Sequence, residues 1–269
     1  MAPPTQVSHY KTKEETIMKI ETYNKCENEV IKDRKLSNNA WDCPNWGLEA
    51  YQSVDNLTEE TNKEYGKPKH YLNEEQTVIL TLSEDTAVVE GNGKIDKELW
   101  INLKRELNLE KYKIEIKENI QLPDDSSAMF IGFEEEISID SNIDTSNITD
   151  MCGMFQDTIS ANPNICNWDT SNVISMGSMF TDTKAANPNT ENWNTSKVEN
   201  MGFMFRGAEL ANPDVSKWDV SNVTDMAFMF YGAVYADPDT SKWKTTSLQD
   251  ARGAFKGSAY KGEPLVLNQ

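Results

Sequence analysis

The stretch WDVSNVTDM, from Trp218 to Met226, packs an indole, two carboxylates, two hydroxyls and an amide into one short run. Standing alone it would be a candidate site, but it does not stand alone. Trp168, Trp193, Trp218 and Trp243 are spaced 25 residues apart, and so are Phe155, Phe180, Phe205, Phe230 and Phe255. Pro163, Pro188, Pro213 and Pro238 keep the same step. So do Met151, Met176, Met201 and Met226, with Ala251 as the last member. Four columns sharing one period without an insertion define an array of repeats.

The register also runs outward from this core. Met129 and Phe130 lie 25 residues before Met154 and Phe155, and Ile143 lies 25 before Trp168. At the far end Ala251 and Ala254 replace methionines, and GEPLVLNQ leaves the pattern. Degenerate units at both ends are what an array needs to close its exposed faces.

One unit has two halves. In SNVTDMAFMFYGA, Val223, Met226, Met229 and Phe230 fall at i, i+3, i+6 and i+7, the buried face of a short helix. Asn222 with Asp225 fits a helix cap, and Asn147–Asp150 and Asn172–Ser175 repeat it. Gly207, Gly232 and Gly257 then stand where a left-handed turn ends a helix, with Asp157 and Asp182 in the earlier units. In the other half, NPDVSKWDVS, Asn-Pro forces a turn and Val215 and Trp218 point inward, which predicts a short strand. The Asn-Pro column can stack as an asparagine ladder. The expected fold class is therefore α/β: a right-handed, leucine-rich-repeat-like solenoid of about five strand–helix coils.

The motif W-D-[TV]-S-N-V-x-x-M-x-x-M-F-x-G-A resembles the BspA-like leucine-rich-repeat surface proteins of bacteria, over roughly residues 120–260. The resemblance implies a leucine-rich-repeat solenoid at the cell surface or secreted, with adhesion to host or matrix proteins as its role. Two features depart from that family. ANP and ADP stand where many relatives carry Phe-Asn, and no sorting motif or membrane anchor is visible.

Residues 1–120 carry no trace of the period. KTKEETIMKIETYNKCENEVIKDRKL predicts a charged helix over about 12–35, with Ile17, Ile20, Tyr23 and Val30 as its stripe. A loop-rich segment with Trp41, Trp46, Tyr51, Tyr65 and Tyr71 follows, fit for a small core or a ligand surface. Strands are predicted at 77–82, 86–90 and around Tyr112, Ile114 and Ile116, with a helix carrying Ile95, Leu99, Leu103 and Leu107 between them. This yields four regions: a helical, loop-rich stretch at 1–72, a β-β-α-β cap at 73–122, the array at 123–260 and a tail at 261–269. The cap belongs to an α+β N-terminal region that seals the open end of the array.

Acidic residues outnumber basic ones 44 to 26, for a net charge of −18. That balance argues against nucleic acid and anionic membrane as partners. No apolar run reaches the length of a membrane span, and the first residues lack the apolar core of a signal peptide. The expectation is a surface or secreted protein whose leader has been removed, with a cytosolic protein as the alternative. The four cysteines form no CxxC pair, so a structural zinc site is not expected. In an exported protein Cys26–Cys43 and Cys152–Cys166 are the natural disulfide pairs; otherwise these are free thiols.

No P-loop, dinucleotide fingerprint or Ser-His-Asp arrangement is present, and no cofactor, metal or catalytic residue is assigned. The repeated acids lack the alternation of a calcium loop. A Cys-His nucleophile built from Cys26 or Cys43 with His9 or His70 rests on residue type alone. The reading is a non-catalytic repeat protein that binds a protein partner. Its candidate contact residues are the varying positions after the Met-Phe pair: Gln156, Thr181, Arg206, Tyr231 and Lys256. A second varying column holds Ile159, Lys184, Glu209, Val234 and the neighbourhood of Ser258; a recognition surface or drift on a solvated face accounts for the variation in both columns. The alternative reading is a secreted effector or enzyme with its activity in the N-terminal region and the array as a targeting arm.

Overall fold

The computed structural model describes residues 69–267. The helix expected over 12–35, the aromatic segment up to Tyr65, and His9, Cys26 and Cys43 lie outside them.

The described chain opens with three strands, β1 (Lys69–Tyr71), β2 (Val78–Leu82) and β3 (Thr86–Gly91). A two-residue strand β4 (Gly93–Lys94) leads to α1 (Lys97–Leu107). Then come β5 (Lys113–Ile116), β6 (Ile120–Gln121) and β7 (Ile137–Ile139). The main sheet is mixed, in the order β1-β2-β3-β5-β7: antiparallel through β3, then parallel. Asp96 starts α1 by accepting the Leu99 N–H at 2.9 Å, and Asn108 ends it in the left-handed region. The buried face of α1 is not the expected leucine stripe. Trp100 and Lys104, one turn apart, are the buried pair, while Leu103 and Leu107 are only partly covered.

The array overturns the expected fold class. From residue 124 onward the described chain has no α-helix and a single short strand, β7, so no solenoid of strand–helix coils forms. Its loops are built of turns. Single parallel bridges join them at Asp125, Asp150, Ser175, Asn200, Asp225 and Asp250.

The cause lies in where the backbone N–H groups go. Met201, Phe203, Phe205 and Gly207 donate out of their own loop, to the carbonyls of Asp225, Ala227, Met229 and Tyr231, at 2.8–2.9 Å. The N–H groups between them close tight turns: Met204 to Met201 O, Arg206 to Phe203 O, Ala208 to Phe205 O. An α-helix needs every N–H to reach back four residues inside its own segment. Here half of them are committed to the next loop. Phe203 and Gly207 also have φ of 60° and 63°, a left-handed setting that no α-helix contains. The apolar spacing does mark a buried face, but of a run of turns.

The polar residues read as helix caps do other work. Asp225 accepts the Ala227 N–H at 2.7 Å, closing a side-chain turn, and Asn200 does the same for Gly202. Asn222 donates to Ser196 O in the preceding loop at 2.7 Å, and Asn172 to Ser146 O at 2.8 Å. The Asn-Pro column does form a ladder. Asn162, Asn187 and Asn212 each accept the N–H of the residue 25 further on, at 2.9–3.0 Å.

Inside the stack the columns become continuous rows of side chains. Phe130, Phe155, Phe180, Phe205, Phe230 and Phe255 stack ring on ring, with centroids 5.2–5.8 Å apart. Trp193 and Trp218 stack at 6.2 Å, and their indole N–H groups reach Ile165 O and Thr190 O. No strand is needed to hold the NPDVSKWDVS half. Thr170 and Thr195 hydroxyls tie it to the next loop through Asn194 O and Asp219 O.

The cap closes one end of these rows. Each forward row runs N–H to the next loop, so its first loop presents bare carbonyls. α1 covers two of them: Trp100 donates its indole N–H to Met129 O at 2.8 Å, and Lys104 its ammonium to Ile131 O. Burial pushes the Lys104 pKa down from 10.5 to about 8, against the pull of Glu110. Below pH 8 both folded and unfolded chains are protonated there, so the cost of burying the charge is fully present. Between 8 and 10.5 only the unfolded chain keeps the proton, and stability rises with pH. Thermal unfolding should show this rise, worth roughly 3 kcal/mol in full. In Lys104→Met the rise should vanish; a wild-type profile unchanged by the substitution would refute the assignment.

Candidate functional site

The repeated polar residues were the first candidates for chemistry, and the structure occupies them. Asp169 and Asp219 accept the N–H groups of Ser171 and Ser221 at 2.9–3.0 Å. The serine hydrogen bonds hold both carboxyls below the usual carboxylate range. Asp150 moves the other way: burial raises it, and the carboxylate of Asp125 in the preceding loop adds to the rise. Among the described residues no group of three or more His, Cys, Asp and Glu is arranged to hold a metal ion. His70 lies on β1 with its Nε2 buried and without a hydrogen-bond partner.

The column after the Met-Phe pair is less exposed than its variability suggests. Thr181, Arg206 and Tyr231 are 3, 8 and 4% exposed; Gln156 is half-buried and Lys256 exposed. Thr181 donates its hydroxyl to Phe203 O in the next loop, and Arg206 pairs with Asp182. Tyr231 meets the Phe228 ring edge-on, and the Lys256 ammonium lies 5.7 Å from the Tyr231 ring centre. The expectation that all five are open surface is corrected: the turn run folds these side chains onto neighbouring loops. The structure gathers them into one row, interlocked rather than bare.

Beside that row stand two residues that the sequence reading passed over. Phe203 and Phe228 stack at 5.3 Å although each has a positive φ, 60° and 54°. For a bulky side chain that setting is strained. Their column reads Gly153, Ser178, Phe203, Phe228, Gly253, and the glycines at its ends were the signal.

The second varying column behaves as expected of surface. Ile159 is 46% exposed and Val234 36%, with Lys184 and Glu209 exposed between them and Leu210, 50% exposed, alongside. This edge is partly apolar, which scattered surface residues on a stack of polar turns need not be. An open groove of about 590 Å³ is lined by residues 216–221 with Lys242 and Lys244.

The expected Cys152–Cys166 pair is not made. Cys152 is buried and disulfide-bonded, while Cys166 is a free thiol directed at Asn164 Oδ1 at 3.1 Å. The two lie in different turns of their loop, one beside the Asp150 bridge and one after Ile165. No described helix is long and apolar enough to cross a membrane.

A family model described as "Mycoplasma protein of unknown function, DUF285" matches residues 124–243 and again 178–265, which together exceed half of the chain. The chain belongs to this family. The matched segment is the stack of turn-built loops, so membership rests on the bridged, aromatic-cored array and not on the cap. No curated protein and no solved structure matches the chain.

Proposed function

We propose that this member of the DUF285 family is a non-catalytic repeat protein that binds another protein along the edge carrying Ile159, Lys184, Glu209 and Val234. The observation that supports it is a division of labour within each loop. Asn and Thr of the repeated motif hold loop to loop and Asp closes turns within each loop, whereas the edge varies and leaves apolar side chains in solvent. A rigid array with a varied, partly apolar edge suits recognition of a partner of similar length. The motif's likeness to BspA-like surface proteins supports a cell-surface or secreted location and a host or matrix protein as partner.

The test is capture by the immobilised full chain from host-surface and matrix extracts, with the retained proteins identified by mass spectrometry. The wild type should retain a defined partner that Ile159→Asp/Val234→Asp releases, with an unchanged melting temperature. Equal retention by both proteins, or none by either, counts against the proposal.

A further inference from the structure

The two ends of the stack are not equivalent. In each loop four alternate N–H groups point toward the next loop and the matching carbonyls point back, so these peptide dipoles line up in rows. The first loop's carbonyls receive Trp100 and the Lys104 cation, a donor and a positive charge where the rows are negative. Among the described residues the last loop has no such complement. The N–H groups of Ala251, Gly253, Phe255 and Gly257 occupy the donating positions and make no hydrogen bond among the described residues. Two columns run the other way, one from Gln249 N to Thr224 O at the last loop and one that reaches only as far as Glu209 N to Thr183 O. Successive N–H groups in left-handed turns are a favourable seat for acceptors and anions; Gly253 and Gly257 have φ of 62° and 81°.

The acidity of the chain does not extend to this end. Residues 233–269 contain Lys242, Lys244, Arg252, Lys256 and Lys261 against Asp237, Asp239, Asp250 and Glu263, a slight positive excess in a chain of net charge −18. Arg252 is paired with Asp250 and Lys261 with Asp237; Lys242 and Lys244 line the open groove within the electrostatic reach of Asp239 and Asp219 but form no close ion pair among the described residues. The described part of the tail covers the apolar column and makes no hydrogen bond with the donor row. Tyr260 stacks on Phe255 at 3.9 Å and bonds to Thr240. An occupant therefore needs carbonyls and negative charge but no aromatic residue.

We infer that the C-terminal end of the stack binds an acidic polypeptide segment. Its backbone carbonyls accept from Ala251, Gly253, Phe255 and Gly257, and its carboxylates face Lys242 and Lys244. A second copy of the chain does not fit. Its carbonyl end is closed by α1, and apposing two donor ends sets like dipoles and like charges together. This inference deepens the protein-binding reading and names a second contact, distinct from the Ile159–Val234 edge.

The test uses the full chain, isotopically labelled, titrated with a blocked synthetic peptide of alternating Glu and Gly. The amide resonances of Ala251, Gly253, Phe255 and Gly257 should shift and their hydrogen exchange should slow. Lys242→Glu/Lys244→Glu should weaken the peptide by about tenfold or more at an unchanged melting temperature. Ile159→Asp/Val234→Asp should leave peptide binding intact, which keeps failure of the edge proposal separate from failure of this one. The inference is overturned if the four amides do not respond, if the lysine variant binds equally well, or if inorganic sulfate alone produces the same shifts and protection.

Discussion

Replacing Phe180 with Ala should destabilise the array by about 3–5 kcal/mol, the cost of emptying a buried aromatic site. Phe180 is fully buried and stands mid-column, with Phe155 at 5.5 Å on one side and Phe205 at 5.4 Å on the other. Both stacked pairs go with the ring. The main chain cannot close the gap, because Phe180 N–H is held by Met204 O at 2.8 Å and the rows of bridges fix the spacing of the loops. In a stack where each loop touches only its neighbours, the loss should divide one cooperative unit into two. Calorimetry should show a lower and broader transition. Phe255→Ala, at the end of the column where the ring is only partly buried, should cost distinctly less. Equal losses at the two sites would mean that the column is not the continuous support described.

Trp100→Ala should be comparably damaging, for a second reason besides volume. Trp100 is fully buried against Phe130 and Phe133, and its indole N–H satisfies Met129 O. The cavity alone costs about 3–5 kcal/mol. An orphaned buried carbonyl adds about 1–3 kcal/mol. Trp100→Phe also lacks the donor but keeps a six-membered ring, so the difference between the two variants reports the ring packing, and the loss from wild type to Trp100→Phe contains the hydrogen bond. Denaturant titration should place Trp100→Phe between wild type and Trp100→Ala. If Trp100→Phe matched the wild type, the carbonyl end of the rows would not need its donor.

The period was fully legible in the sequence because it is written in large apolar side chains that cannot change without loss of packing. Trp218 and Phe230 announce the core directly. The secondary structure inside the period was not legible, for a physical reason. A pattern of i, i+3, i+6, i+7 reports which side chains face inward, not which acceptor each N–H uses. In Val223–Phe230 it fits a helix and a run of tight turns equally. The positive φ of the column Gly153, Ser178, Phe203, Phe228 and Gly253 separates them, and the two phenylalanines in that column hide it. Asn222 and Asp225 likewise have the composition of a helix cap while serving a ladder and a side-chain turn. The cap was easier. The strand-like runs from Thr77 and Thr86 and the Leu-rich helix depend on local alternation and propensity, and they lie close to where they were expected. Lys104 was missed because a lysine on a helix normally faces solvent, and only the carbonyl end of a stack makes it useful inside.

For the candidate site, variability along a column pointed to surface, but Thr181, Arg206 and Tyr231 vary while remaining covered. Neighbouring loops accommodate them pairwise, Arg206 with Asp182 and Tyr231 with Phe228, so variation there is compensated locally. The Ile159–Val234 column has no such constraint.

The central claim is that alternate backbone N–H groups of the Met-Phe segment bond forward to the next loop and not backward along a helix. Scalar couplings transmitted through hydrogen bonds, measured by NMR on the deuterated, doubly labelled chain, test it directly. The amide nitrogen of Phe180 should couple to the carbonyl carbon of Met204, and that of Phe205 to Met229. Couplings from Phe180 to Met176 and from Phe205 to Met201, four residues back as in an α-helix, would contradict it.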